Sequence, residues 1–178
     1  MKSRLINSPL KIFTWYTLAL VMTGISIISV NSCNTKEDCT IQCFFGTCVN
    51  NQCNCNAGYE GDSCTILTTQ KYIGDWDAID TCETNTYVYT ATVAASASVV
   101  NRLVITNFGR FGSSFTITAD VTGTSFTIPT QNVQGISLSG SGTINVIDTT
   151  LSYISISYFA EDEFRNTDHC SGVWKKSQ

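Results

Sequence analysis

The chain has 178 residues, 13% of them charged, and a formal net charge of −4. That length sets a ceiling of one domain plus a small module. With only 2 prolines, 9 cysteines and frequent hydrophobic alternation, the composition excludes a disordered chain, a coiled coil and a helical repeat, and describes a β-rich globular protein.

The N-terminal segment stands apart from the rest. Lys2, Arg4 and Lys11 form a positive leader, and no charge occurs from Ile12 to Ser32, a stretch that is mostly apolar. This pattern describes a secretory signal, with an uncleaved transmembrane anchor as the alternative. The run ends in Val30-Asn31-Ser32-Cys33, which resembles the lipobox of bacterial lipoproteins, although Asn31 stands where a small residue is commoner. The resemblance implies that residues 1–32 are a lipoprotein signal peptide and that Cys33 becomes a lipidated N-terminus. Several acyl chains on one residue anchor more firmly than a single chain does. Lys36-Glu37-Asp38, within a tether spanning 33–38, resembles the export signal of Bacteroidota surface lipoproteins and implies a surface-exposed location on the outer membrane. An ordinary solvated tether accounts for the same three residues. The absence of any Asn-X-Ser/Thr sequon leans towards a bacterial source. With Cys33 acylated, the remaining cysteines are even in number, as an oxidising compartment favours.

From Cys39 to Cys64 six cysteines crowd into a segment too short for a hydrophobic core, so bridges must hold it. Six cysteines alone allow about fifteen pairings. Cys53-Asn54-Cys55, followed by eight residues including Gly58-Tyr59-Glu60-Gly61 and then Cys64, resembles the epidermal growth factor-like module. The resemblance implies the pairs Cys39–Cys48, Cys43–Cys53 and Cys55–Cys64. A zinc site is disfavoured, because this segment has no Cys-x-x-Cys pair and no nearby histidine. Some members of that family bind calcium, and Glu37, Asp38 and Asn50 are the residues to compare. Only four residues separate Cys48 from Cys53, with no aromatic among them, so no metal is expected. Phe44 and Phe45 exceed what so small a module can bury and are expected to contact the following domain or a partner.

Residues 65–178 change texture. In 114–121, Phe115, Ile117, Ala119 and Val121 alternate with polar residues, and in 86–93 Tyr87, Tyr89, Ala91 and Val93 do the same. Both read as half-buried strands. Further strands are expected at 71–79, 102–108, 125–129, 135–140, 142–148, 151–159 and 169–175, with Gly-rich or Asp-Thr turns between them. Eight or nine short strands without a βαβ rhythm predict an antiparallel meander, closed as a small barrel or stacked as a sandwich. Gly74-Asp75-Trp76 resembles the Gly-x-Trp start of calycin and lipocalin barrels, where the Trp packs across the closed end. An ordinary buried Trp beside a bend fits the same residues. Cys82 and Cys170 are the cysteines left over, and joining them would tie the first strand to the last. Such a loop closure contributes roughly 4–5 kcal/mol by chain entropy. The order of parts resembles a group of Bacteroidota lipoproteins in which a growth-factor-like module precedes a calycin-like domain.

The residues that carry chemistry elsewhere are sparse here. His169 is the single histidine and reads as exposed or structural. The stretch at Gly135 lacks the closing glycine of a nucleophile elbow. Asp75, Asp77 and Asp80 form one acidic group and Glu161, Asp162 and Glu163 another. Asp75 and Asp77 are expected on the outer face of a strand, opposite Trp76, and solvated surface is expected for both groups. Of 10 basic residues, three lie within 1–32, so the processed chain carries a net charge of −7, which disfavours nucleic acid. The expected function is a non-enzymatic, lipid-anchored surface protein without a cofactor, with a binding, adhesion or structural role towards a protein or glycan. The alternative is a small barrel that carries an apolar ligand.

These readings share one chemical consequence: the processed protein, alkylated under denaturing and non-reducing conditions, should incorporate no more than trace label. Substantial labelling would contradict the assignment of one acylated and eight bridged cysteines.

Overall fold

Alternation is the reason the larger domain closes. In the computed structural model, which describes residues 39–147 and 151–178, eight strands carry their apolar residues on one face and curl round them. The expected signal peptide at 1–32, Cys33 and the expected tether with Lys36, Glu37 and Asp38 lie outside the described residues.

The first part is a disulfide-rich module of two small hairpins, β1 (Gly46–Val49) with β2 (Gln52–Cys55) and β3 (Tyr59–Glu60) with β4 (Ile66–Leu67). Its bridges are Cys39–Cys48, Cys43–Cys53 and Cys55–Cys64. Three bonds replace the apolar core that the segment lacks: of its residues, Cys64 is fully buried, while Phe44 is 58% exposed. Phe45 stacks on Tyr59 of the same module, ring centroids 4.2 Å apart.

The barrel is a meander of β5 (Gly74–Cys82), β6 (Thr86–Ala95), β7 (Arg102–Thr106), β8 (Thr116–Thr122), β9 (Ser125–Val133), β10 (Ile136–Val146), β11 (Ser152–Glu161) and β12 (Thr167–Lys176). Each strand pairs antiparallel with the next, and β12 returns to pair with β5, so the sheet is a closed barrel rather than a sandwich. Eight strands enclose a space that side chains can fill. Here Trp76, Trp174, Tyr72, Phe108, Phe115 and Leu138 are among the fully buried residues that fill it.

One expected turn is strand instead. Residues 135–140 and 142–148 read as two strands because Gly140 and Gly142 suggest a break, yet both glycines lie inside β10. The reason is close approach. A Cβ on Gly142 would strike the ring of Phe126 and stand 2.9 Å from Ser155 O, and one on Gly140 would stand 2.6 Å from Ser157 O. The register also shifts between Leu138 and Gly140, a bulge that lets the strand coil round the barrel.

Module and barrel meet through the short segment before β5. Thr68 N donates to Gly58 O at 3.0 Å, and Lys71 Nζ bridges Glu60 Oε2 at 2.7 Å and Gly123 O at 3.3 Å. Tyr72 then enters the barrel and meets the edge of Phe126. Trp76 follows, donating its indole N–H to Tyr72 O at 2.8 Å, while Lys176 Nζ lies 4.8 Å from its ring. This end of the barrel is thus covered by aromatic rings and by the module.

Gly142→Ala should lose about 1–3 kcal/mol of stability, the usual cost of overpacking, because both the Phe126 ring and backbone would have to shift. Urea denaturation monitored by tryptophan fluorescence measures it; an unchanged midpoint would show that the contact is slack.

Candidate functional site

The end of the barrel away from the module is built from the loops 83–85, 107–115, 134–135 and 162–166. They surround a cavity of about 410 Å³. Its apolar surface comes from Phe111, Ile136, Ala160, the ring of Tyr158 and the Cys82–Cys170 bridge, and its rim carries Thr84, Arg110, Asp162, Asn166 and Asp168.

The floor explains why the cavity stops where it does. Phe108, fully buried, lies edge-on to Tyr158 and Trp174, with centroids 4.6 and 5.9 Å away, and plugs the barrel beneath the cup. Next to it Asp80 is wholly enclosed. Its Oδ1 accepts the indole N–H of Trp174 at 2.8 Å, and its Oδ2 accepts the hydroxyls of Tyr89 at 2.6 Å and Tyr158 at 3.0 Å. Tyr89 OH in turn accepts Gly109 N–H at 3.1 Å, which ties the 107–115 loop to the core. Desolvating a carboxylate costs several kcal/mol, and a hydrogen bond to a charged group returns about 1.5–3 kcal/mol, so the three donors together offset that cost.

Asp80 therefore departs from the expectation of solvated surface. Asp75 and Asp77 are exposed, where they accept hydrogen bonds from Thr92 and Thr90. Asp80 has the opposite parity, that of Trp76 and Ala78, and so points inward. Room for it comes from across the seam: Gly172 is its direct partner on β12, and a Cβ there would collide with Asp80 Oδ1.

The rim is organised by two further carboxylates. Asp162 accepts Phe164 N–H at 2.9 Å, Asn166 N–H at 2.8 Å and Asn166 Nδ2 at 2.8 Å, and these bonds, those from Asn166 foremost, hold its carboxyl below the usual range. Arg165 pairs with Glu161 at 2.9 Å in the same hairpin, and Glu163 is exposed. Asp168 accepts the hydroxyl and, at 3.3 Å, the backbone N–H of Thr84. Cys82, Asp168 and Cys170 form a close group, but the two sulfurs are bonded to each other and offer no thiolate to a metal. His169 faces outward, its ring 4.9 Å from that of Phe159. Ser137 and Ser139, beyond Gly135, lie within β10.

In the sequence Glu161, Asp162 and Glu163 group as surface, and Tyr158, Phe111, Arg110 and Asp168 do not stand out. Parity was the signal available for Asp80. Nothing local marks the others, because they come from three separate places in the chain: the 107–115 loop, the end of β11 and the start of β12.

No protein-family model matches the chain, and no curated protein matches it. Among solved structures, a protein of unknown function from Bacteroides ovatus is similar at 12% identity and a TM-score of 0.40, over 59% of this chain and 41% of that one. The chain thus spans less than half the length of that protein.

Burial raises the hydroxyl pKa of Tyr72, Tyr89 and Tyr158, with the negative charge of Glu60 adding to the first and that of Asp80 to the other two. In the unfolded chain each titrates near about 10. Below that pH their contribution is fully present; above it the unfolded state releases protons that the folded state retains, so stability falls. The slope approaches roughly 4 kcal/mol per pH unit for three such groups. Phenolate absorbance from these three should appear together with loss of near-ultraviolet circular dichroism; a smooth rise with the dichroism retained would contradict their burial.

Proposed function

We propose that the protein is a lipid-anchored cell-surface protein whose barrel is a non-catalytic binding head. In this reading residues 1–32 are the signal peptide, Cys33 carries the lipid, the disulfide-rich module is an epidermal growth factor-like spacer, and the barrel is calycin-like. The observation that carries it is the position of the cup: it opens at the end of the barrel opposite the joint with the module, and the module is the part that follows Cys33 in the chain. A spacer joined at one end and a cavity at the other suit a head presented to the medium.

Binding, rather than catalysis, fits the chemistry beneath the cup. Asp80 is enclosed and already accepts three hydrogen bonds, which suits a structural carboxylate better than a proton acceptor for a substrate. The cavity also favours the second reading, a carrier of a small ligand, in a restricted form. Phe108, Trp174 and their neighbours occupy the barrel, so a ligand would sit in the mouth and not along the axis.

Two measurements test the proposal separately. Peptide mass spectrometry of the membrane fraction should find acyl mass on Cys33, and Cys33→Ser should move the protein to the soluble fraction; an unmodified Cys33 in the membrane would end the lipid-anchor reading. Limited proteolysis of intact cells should cleave the protein, and complete protection would remove the surface location.

A further inference from the structure

We infer that the cup at the barrel mouth takes a small protonated amine with an apolar body. The inference rests on the binding-head reading and concerns only which ligand chemistry the cup accepts.

The lining of the cup sets the charge its ligand must carry. Tyr158 spends its single proton on Asp80 Oδ2, so its oxygen presents lone pairs to anything above it. Thr84 likewise donates its hydroxyl proton to Asp168, leaving an acceptor. The carboxylates of Asp162 and Asp168 only accept when ionised, and the Asn166 bonds favour the ionised form of Asp162. Among the described residues that line the cup, Arg110 is the single cation against these two carboxylates. Arg110, Tyr87 and Thr167 bring donors of their own to the lining, but the two carboxylates outnumber the one guanidinium, so a ligand that brings a positive charge and N–H donors to Asp162, Asp168 and the Tyr158 oxygen satisfies it.

The apolar part of the ligand has its own place. Phe111, Ile136, Ala160 and the disulfide form the wall, and the rings of Phe111 and Tyr158 attract a cation further. A volume of about 410 Å³ lies near the small end of the range for ligand cavities, roughly 300–1,000 Å³. It suits a single aromatic ring or a short branched chain bearing the amine.

The test uses the full chain purified in detergent and isothermal titration with three probes that share one ring: phenethylamine, phenethyl alcohol and hydrocinnamate. The amine should bind at least about tenfold tighter than either of the others, a difference of about 1.4 kcal/mol. Asp168→Asn keeps an acceptor for Thr84 and should weaken amine binding by about tenfold while leaving the alcohol unchanged. Ile136→Trp, at a partly exposed position in the wall, should abolish binding of the amine by filling the cup. Hydrocinnamate binding as tightly as the amine, in a manner blocked by Ile136→Trp, would overturn the amine assignment while leaving the cup as a binding site. No binding by any probe at millimolar concentration would overturn both, and amine binding that survives both substitutions would place it elsewhere.

Discussion

The seam between β5 and β12 holds the barrel together, and its centre is a carboxylate in the core. Asp80 faces Gly172 across the seam and collects hydrogen bonds from Trp174 on β12, Tyr89 on β6 and Tyr158 on β11. Four neighbouring strands are thereby linked through one side chain. An open sheet would leave Asp80 with water on one side and no Trp174 to donate, so the network exists only when the first and last strands meet. Two residues along the same pair of strands, Cys82 and Cys170 are also direct partners, and their bond adds a covalent link to the hydrogen-bonded one.

Closure at this seam decides what the two ends of the barrel can do. At one end Tyr72 and Trp76 cover the interior and the short segment from Thr68 carries the chain out to the module. At the other, Phe108 fills the axis and the loops rise above it, so the cavity that remains is shallow and bounded by the disulfide. The enclosed network also polarises the cup: because Tyr158 donates downward to Asp80, its oxygen can only accept from above. A structural requirement of the core thus sets the hydrogen-bonding character of the surface over it.

The module follows a different physical plan. Its 26 residues between Cys39 and Cys64 cannot bury enough apolar area to fold by the hydrophobic effect, and three bridges stand in for that core. Phe45 finds a partner within the module, on Tyr59, so the joint with the barrel is made by Gly58, Glu60 and Lys71 instead. That joint combines these polar contacts with the close approach of Gly58 to Val100.

Much of this is legible in the sequence. Alternation in 86–93 and 114–121 identified strands and the faces they bury, since a period of two is a local property of an extended chain. Cysteine spacing, read through a family resemblance, named the same module pairs that are bonded here, and elimination left Cys82 with Cys170. Tertiary structure alone chose barrel over sandwich, because that choice depends on whether β12 reaches β5, and no residue encodes a partner 94 positions away as Trp174 and Asp80 are. It likewise turned Gly140 and Gly142 from an apparent break into a coiled strand, and Asp80 from apparent surface into the centre of the core. In each case the deciding neighbour, Phe126, Ser157 or Gly172, is distant in the chain and near only after closure.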